Sequence, residues 1–355
     1  MDLTGLLMLL VAGGALLWCI VTVHTALILS RPPRRGTGYA VARELASDPE
    51  AWGAAVRWPR AVRFHAWTHR TLDGLDLPVW DVRCERDDGP VVVLSHGWGE
   101  SRITTLPRLC ALLPLCSRVV LWDMPGHADA PGHCRLGSRE PDELVRLVKA
   151  VTGSDGGNCA SEPASIVLWG FSLGAGVSLA AAASMITERS RAGESTGTAH
   201  PRVAVIAEAP YVLPATPAQR VLMLRGLPWR LNLGPALSAL GVVWGLGPWW
   251  GRAGGLFDRR EHARRLGDVP VLVLAPEHDE VCPIEDARAI AEAAPFGRLA
   301  VVPGAMHTRV WTDAGPREAA TREVHAFIES LGRHPPAHGT SELRVASGGG
   351  EVIEG

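Results

Sequence analysis

SIVLWGFSLGAGVSLAAAAS, residues 165–184, is the stretch that decides the fold. Strand-forming residues run into Gly170-Phe171-Ser172-Leu173-Gly174, and a helix of small residues follows. A tight turn is the plain explanation of two glycines placed evenly about one serine. The sharper one is a strained turn that exposes a nucleophile. G-x-S-x-G between a buried strand and a helix is the nucleophile-elbow pattern. The serine must take unfavourable backbone angles, so the residues two positions away must be nearly free of side chain. The helix that follows points its unpaired N–H groups and positive dipole end at the site.

Working outward, the same rhythm recurs. Apolar runs lie at Pro90–Trp98, Arg118–His127, Val203–Pro210, Pro270–Asp279 and Arg298–His307. Each is continuous rather than alternating, as parallel strands buried on both faces are. Amphipathic helical stretches fall between them, at Ser101–Leu113, Ser138–Val151, Leu173–Thr187, Ile284–Ala294 and Arg317–Leu331. Phe64–Arg83 is expected as two strands about the Asp73-Gly74 turn. The pattern predicts an α/β fold with a mostly parallel, doubly wound sheet. Reactive groups in such sheets sit beyond the carboxyl ends of the strands. Here those ends carry His96, Asp123, Ser172, Glu208, Asp279 and His307.

A serine hydroxyl needs a base, and the base needs an orienting carboxylate. The chain order expected for this architecture is Ser, acid, His. His307, after the last strand, is the best base. Asp279, after the fifth, is the best acid, with Glu208, Glu277 and Asp286 as rivals; His278 is expected at the rim. Two backbone N–H groups must stabilise an oxyanion. Leu173 supplies one, and Trp98, in the Ser95-His96-Gly97-Trp98 loop, the other. His96, Gly97 and Tyr211 are expected to line the substrate pocket. Neither a metal nor an organic cofactor is called for.

Composition narrows the classes. The formal net charge is −2 and 47% of the 355 residues are hydrophobic, so no global field draws the protein to nucleic acid. The seven cysteines are odd in number and form no CxxC pair, which argues against a disulfide framework or a zinc site. Leu3 to Ser30 contains no Asp, Glu, Lys or Arg. As a helix it would reach about 42 Å, against a hydrocarbon core of about 30 Å. One transmembrane anchor over residues 1–30 fits. Arg31, Arg34 and Arg35 follow it and place the main domain on the cytoplasmic side of the cell membrane. A cleaved signal peptide with an exported enzyme is the competing explanation. Residues 31–63 are expected as a linker, 64–331 as the main domain, about 211–257 as an inserted lid, and 332–355 as a disordered tail. The lid carries Trp229, Trp244, Trp249 and Trp250 and is too long for a crossover helix.

LSHGWGES, LWDMPGHADA, LWGFSLGAG, LAPEHDEVCP and VVPGAMHT, taken in order, resemble the α/β-hydrolase superfamily. They are most similar to its serine-hydrolase branch of monoglyceride lipases, bacterial carboxylesterases and serine-aminopeptidase-like proteins. The resemblance covers roughly residues 64–331. It implies the α/β-hydrolase fold, Ser172 as nucleophile, Asp279 as acid, His307 as base, and Trp98 and Leu173 as oxyanion donors. Two features depart from it. Gly126-His127-Ala128-Asp129-Ala130 stands where G-H-G-x-S is frequent, and the lid matches no pattern.

The function expected is hydrolysis of an ester-type bond in a hydrophobic acyl ester or lipid, by a membrane-anchored serine hydrolase. A thioesterase or an aminopeptidase-like amidase would use the same triad. A hydrolase-fold protein that binds without turnover is the alternative of a different class.

Overall fold

The computed structural model describes residues 2–153, 163–192, 201–255, 257–332 and 344–345. One sheet organises them, with strand order β1-β2-β4-β3-β5-β6-β7-β8-β9. β1 (Arg63–Arg70) and β2 (Asp76–Arg83) form the expected antiparallel hairpin, closing with Arg70 opposite Asp76. β2 also runs antiparallel to β4 (Arg118–Trp122). From β4 onward every pairing is parallel, through β3 (Val91–Ser95), β5 (Ser165–Phe171), β6 (Arg202–Glu208), β7 (Val271–Pro276), β8 (Gly297–Val302) and the two-residue β9 (Arg344–Val345).

The continuous apolar runs have a direct cause. Val120, Trp122, Ile166, Leu168, Val203 and Val205 enter one core. Their neighbours Val119, Leu121, Val167, Trp169, Ala204 and Ile206 enter the other. Successive side chains point to opposite faces, and both faces are covered. The first face is closed by α5 (Glu140–Thr152), α6 (Leu173–Arg191) and α10 (Ile284–Ala293), the second by α4 (Leu109–Leu112) and α11 (Ala314–Ser330). In α6 every residue from Leu173 to Ala183 is buried, which explains its small side chains.

The helix expected over Ser101–Leu113 is not continuous. A short 3₁₀ turn at Leu106–Arg108 leads into the single turn of α4. Pro107 has no N–H for a longer helix, and the Arg102 N–H is drawn to Asp123 at 2.7 Å. Ahead of the sheet, α2 (Thr37–Ala42) and α3 (Pro49–Ala55) occupy part of the 31–63 stretch. Nearly all of the tail, residues 333–343 and 346–355, lies outside the described residues.

α1 (Leu3–Ser30) is a single helix, long and apolar enough to cross a membrane by length and composition. It is not isolated. Between β6 and β7 the chain carries α7 (Ala215–Leu224) and α8 (Leu233–Val243), and α9 (Arg259–Arg264) returns it to the sheet. α8 packs against α1. The Trp18 indole N–H donates to the Leu231 carbonyl at 3.0 Å, and Asn232 Nδ2 donates to the Thr25 hydroxyl at 2.5 Å.

Candidate active site

Ser172 stands at the junction of β5 and α6 with φ 52° and ψ −108°. A residue with a side chain takes such angles only where its surroundings enforce them. Its N–H donates to the Glu208 carbonyl at 2.8 Å, and its own carbonyl accepts from the Ala175 and Gly176 N–H groups at 3.1 and 3.4 Å. The two glycines are what let α6 lie this close to the sheet. A Cβ at Gly170 would collide with the Gly174 carbonyl, and one at Gly174 would come within 2.7 Å of the His96 carbonyl oxygen. The glycine spacing is therefore a demand of the elbow itself. At Leu173, the first helical residue, the N–H has no intrahelical partner. Neither it nor the Trp98 N–H finds an acceptor among the described residues.

His307 and Asp279 meet above the same strand ends. The ring Nδ1 lies 2.7 Å from Asp279 Oδ2, and both side chains are almost wholly buried. Against a carboxylate Nδ1 carries the proton, so Nε2 has a free lone pair. Asp279 Oδ1 accepts from the Val281 and Cys282 N–H groups at 2.8 and 2.7 Å, which fixes the carboxylate in place. The turn that carries His307 is stitched to the β7 loop: Glu277 accepts from the Gly304 N–H at 2.8 Å, and the His278 N–H donates to the Ala305 carbonyl at 2.8 Å. The His307 ring packs on Phe171 with centroids 4.9 Å apart.

Neither a family model nor a curated protein matches the sequence. Solved structures do. The esterase Pf2001 of Pyrococcus furiosus superposes with a TM-score of 0.60 at 18% identity, covering 85% of this chain and 97% of that one. The α/β hydrolase GrgF from a Penicillium species gives 0.51 at 19% identity over 75% of this chain and 98% of its own. A hydrolase from Pseudomonas aeruginosa gives 0.51 at 18% over 74% and 98%. The chain has the α/β-hydrolase fold.

Within this hydrolase fold, Ser172, Leu173, His307 and Tyr211 line one cavity of about 280 Å³, with Trp98 and Glu100 beside them. Much of its remaining wall is apolar and comes from Leu29 at the end of α1 and from α7. A larger cavity, of about 610 Å³, opens between α1, α8 and the β1–β2 hairpin and contains none of these groups; its size has no bearing on the chemistry. Ser172 and His307 share the small cavity without touching. The Ser172 hydroxyl faces the Cys282 thiol at 3.9 Å, and no Ser172–His307 hydrogen bond occurs among the described residues. Catalytic hydrogen bonds are frequently open in a ligand-free site.

The other polar strand ends are spoken for. Two of the residues expected in the pocket, His96 and Gly97, do not line it. His96 is sealed behind it: its Nδ1 donates to the Gly97 carbonyl at 2.8 Å and its Nε2 accepts from the Met124 N–H at 3.0 Å. Burial holds that imidazole well below its usual titration range. Asp123 is paired with Arg102. Glu208 accepts both arms of the Arg108 guanidinium, at 2.8 and 2.7 Å, and the indole N–H groups of Trp169 and Trp311 at 3.0 and 2.9 Å. Asp286 caps the Val212 N–H at 2.9 Å. None of the rival acids is free to face His307.

Two groups at the site escaped the sequence reading. Glu100 lies in the wall with Oε2 unpartnered, and burial raises its carboxyl. Cys282 sits beside the candidate triad, its Sγ within 4.8 Å of the ligand atoms of Asp279 and His307. That trio has the donors of a metal site. However, both Asp279 oxygens are already hydrogen-bonded, and an ion there would compete with Ser172 for the free His307 nitrogen. Burial, then the Asp279 charge, pushes the Cys282 thiol well above its ordinary range, so it is a neutral S–H. The local signal was its place three residues after Asp279, where its N–H closes the turn on the carboxylate.

Proposed function

We propose that the protein is a membrane-anchored serine hydrolase that cleaves an ester-type bond of a hydrophobic acyl substrate. One observation carries this reading: His307, joined to the buried Asp279 at 2.7 Å, shares an apolar cavity with a serine held at φ 52°. His307 Nε2 takes the Ser172 proton as Oγ attacks the acyl carbonyl. The resulting oxyanion lies against the Trp98 and Leu173 N–H groups, each worth about 3–4 kcal/mol in the barrier. The C–O bond to the alcohol then breaks, and His307 returns the proton to the leaving oxygen. Water, deprotonated by the same ring, attacks the acyl-enzyme and restores Ser172. Asp279 keeps the ring in the tautomer that leaves Nε2 open and balances its charge when protonated.

The esterase neighbour and the apolar walls favour an ester over an amide. Anchoring through α1, with the domain on the cytoplasmic side, is supported by Arg31, Arg34 and Arg35 after the helix and by Leu29, which would leave with a cleaved segment and open the pocket wall. The open Ser172–His307 contact favours a second reading, a fold that binds acyl ligands without turnover. A fluorophosphonate probe separates the two. Full-length protein in detergent should label, and Ser172→Ala and His307→Ala should not. Folded wild type that neither labels nor cleaves a short activated ester would make it a binding protein.

A further inference from the structure

The insertion that walls the pocket presents an unusual surface. Leu231, Val242, Val243 and Trp249 are 77%, 61%, 80% and 61% exposed. From Tyr211 to Phe257 there is no Asp or Glu, while Arg220, Arg225, Arg230 and Arg252 all lie there. Each is exposed, and none forms an ion pair among the described residues. Arg225 lies over the Trp98 ring, Arg230 over Trp229 and Arg252 over Trp249, so three of them sit with indoles, the pairing typical of a membrane interface.

The hydrogen bonds to α1 set the depth of this surface, given the anchoring proposed above. A hydrocarbon core of about 30 Å takes up roughly 20 helical residues. α1 has 28, so at most 8 can emerge at its C-terminal end, from residue 23 onward. Trp18, whose indole holds the Leu231 carbonyl, is then about 7 Å inside the hydrocarbon, and tilt only deepens it. Asn232, bonded to Thr25, falls at the boundary. The loop between α7 and α8 cannot keep these contacts and remain in water.

We propose that the α7–α8 insertion is embedded with α1 in one leaflet of an anionic bilayer, its arginines at the headgroups, and that acyl lipids reach Ser172 from the bilayer through the mouth between α1 and α7. Leu29, from α1, and Leu224, from α7, both line the pocket wall on the proposed route, and Leu224 is 63% exposed. The substrate class is thereby a long-chain ester that resides in the membrane. This rests on the hydrolase reading, and its test is arranged to tell the two apart.

Full-length protein is placed in phosphatidylcholine nanodiscs with and without phosphatidylglycerol. A fluorophore sensitive to quenching is attached at Val243→Cys in a Cys19→Ala background, since Cys19 is the one exposed thiol among the described residues. Lipids brominated along the acyl chain should quench it, and more strongly with phosphatidylglycerol present. An unquenched label overturns the docking. The second measurement compares a bilayer-resident monoacylglycerol with a soluble short-chain ester. Leu231→Glu with Val243→Glu should lower the first rate about tenfold or more and leave the second unchanged. Equal losses for both esters, or no loss for either, overturn the bilayer route. A quenched label on a wild type that cleaves neither ester keeps the docking and removes the hydrolase.

Discussion

Two polar groups at strand ends, Ser172 and His307, face the cavity with Asp279 behind the histidine, and three others at equivalent ends are walled off from it. Ser172 Oγ and His307 Nε2 keep unused hydrogen-bonding capacity, while Asp279 spends its own on His307 and on the Val281 and Cys282 N–H groups. Glu208, Asp123 and His96 have theirs taken up by protein: a bidentate arginine and two indoles, an arginine, a carbonyl and an N–H. All six are buried polar groups after β-strands, so position alone does not make a group reactive. What differs is whether the neighbours complete it.

The sharpest way to break that comparison is to neutralise one carboxylate from each set. Asp279→Asn turns an amide N–H toward His307, forces the ring proton to Nε2 and removes the base. Ester turnover should fall about 10⁴-fold, with little change in thermal midpoint. Glu208→Gln should do the reverse. It leaves the Arg108 charge buried without a counter-ion, at a cost of about 3–5 kcal/mol, read as a lower urea midpoint. Probe labelling of the protein that remains folded should persist. If Glu208→Gln abolishes labelling at full stability, the walled-off set includes a member of the site.

The histidine pair tests the same contrast by pH. His96 and His127 stack edge-to-face with centroids 4.8 Å apart, both with no exposure. Burial pushes His127 down to about 4, whereas an unfolded chain protonates near pH 6.5. Between those values the unfolded state binds more protons, so stability is full above pH 6.5 and is lost as pH falls toward 4. The loss from His127 amounts to about 3 kcal/mol over the whole window. Asp123, raised to about 6 by burial, acts in the opposite direction over much of that range, so the wild-type curve is flattened. Urea melts of His127→Gln against wild type across this window isolate the histidine; a difference that does not change with pH would show that His127 is solvated.

Much of this was open to reading from the residues. Runs such as Val91–Ser95 and Ile166–Trp169 are apolar throughout because both faces of the sheet are covered, and that pattern is local. The elbow was legible because its glycines sit at fixed spacing about Ser172 and Gly170 is required by a close approach to Gly174 itself, although Gly174 also answers to the distant Ser95 and His96 carbonyls. The Ser101–Leu113 helix failed because a periodic pattern says nothing of Asp123 pulling on the Arg102 N–H from the next strand. His96 was misplaced for a similar reason: its partner is Met124, across the sheet. The bond from Trp18 to Leu231 spans 213 positions, and no periodicity reports a contact at that separation. The want of acids between Tyr211 and Phe257 was in plain view, but it acquires meaning only once those residues lie against α1.

Cys282 tests the boundary between the two sets. Its thiol faces the Ser172 hydroxyl at 3.9 Å, yet burial and the Asp279 charge keep it protonated and a poor nucleophile. Its backbone N–H, by contrast, is needed, since it holds Asp279 Oδ1 at 2.7 Å. Cys282→Ala removes the sulfur and retains the N–H. Turnover should therefore change by less than about tenfold, the smallest effect of the series, and fluorophosphonate labelling should survive. A fall comparable to Asp279→Asn would move the sulfur into the reacting set. Iodoacetamide sharpens the same point: a protonated thiol at residue 282 alkylates slowly, and rapid loss of activity in wild type but not in Cys282→Ala would mean that the sulfur, like Ser172, keeps capacity its neighbours do not complete.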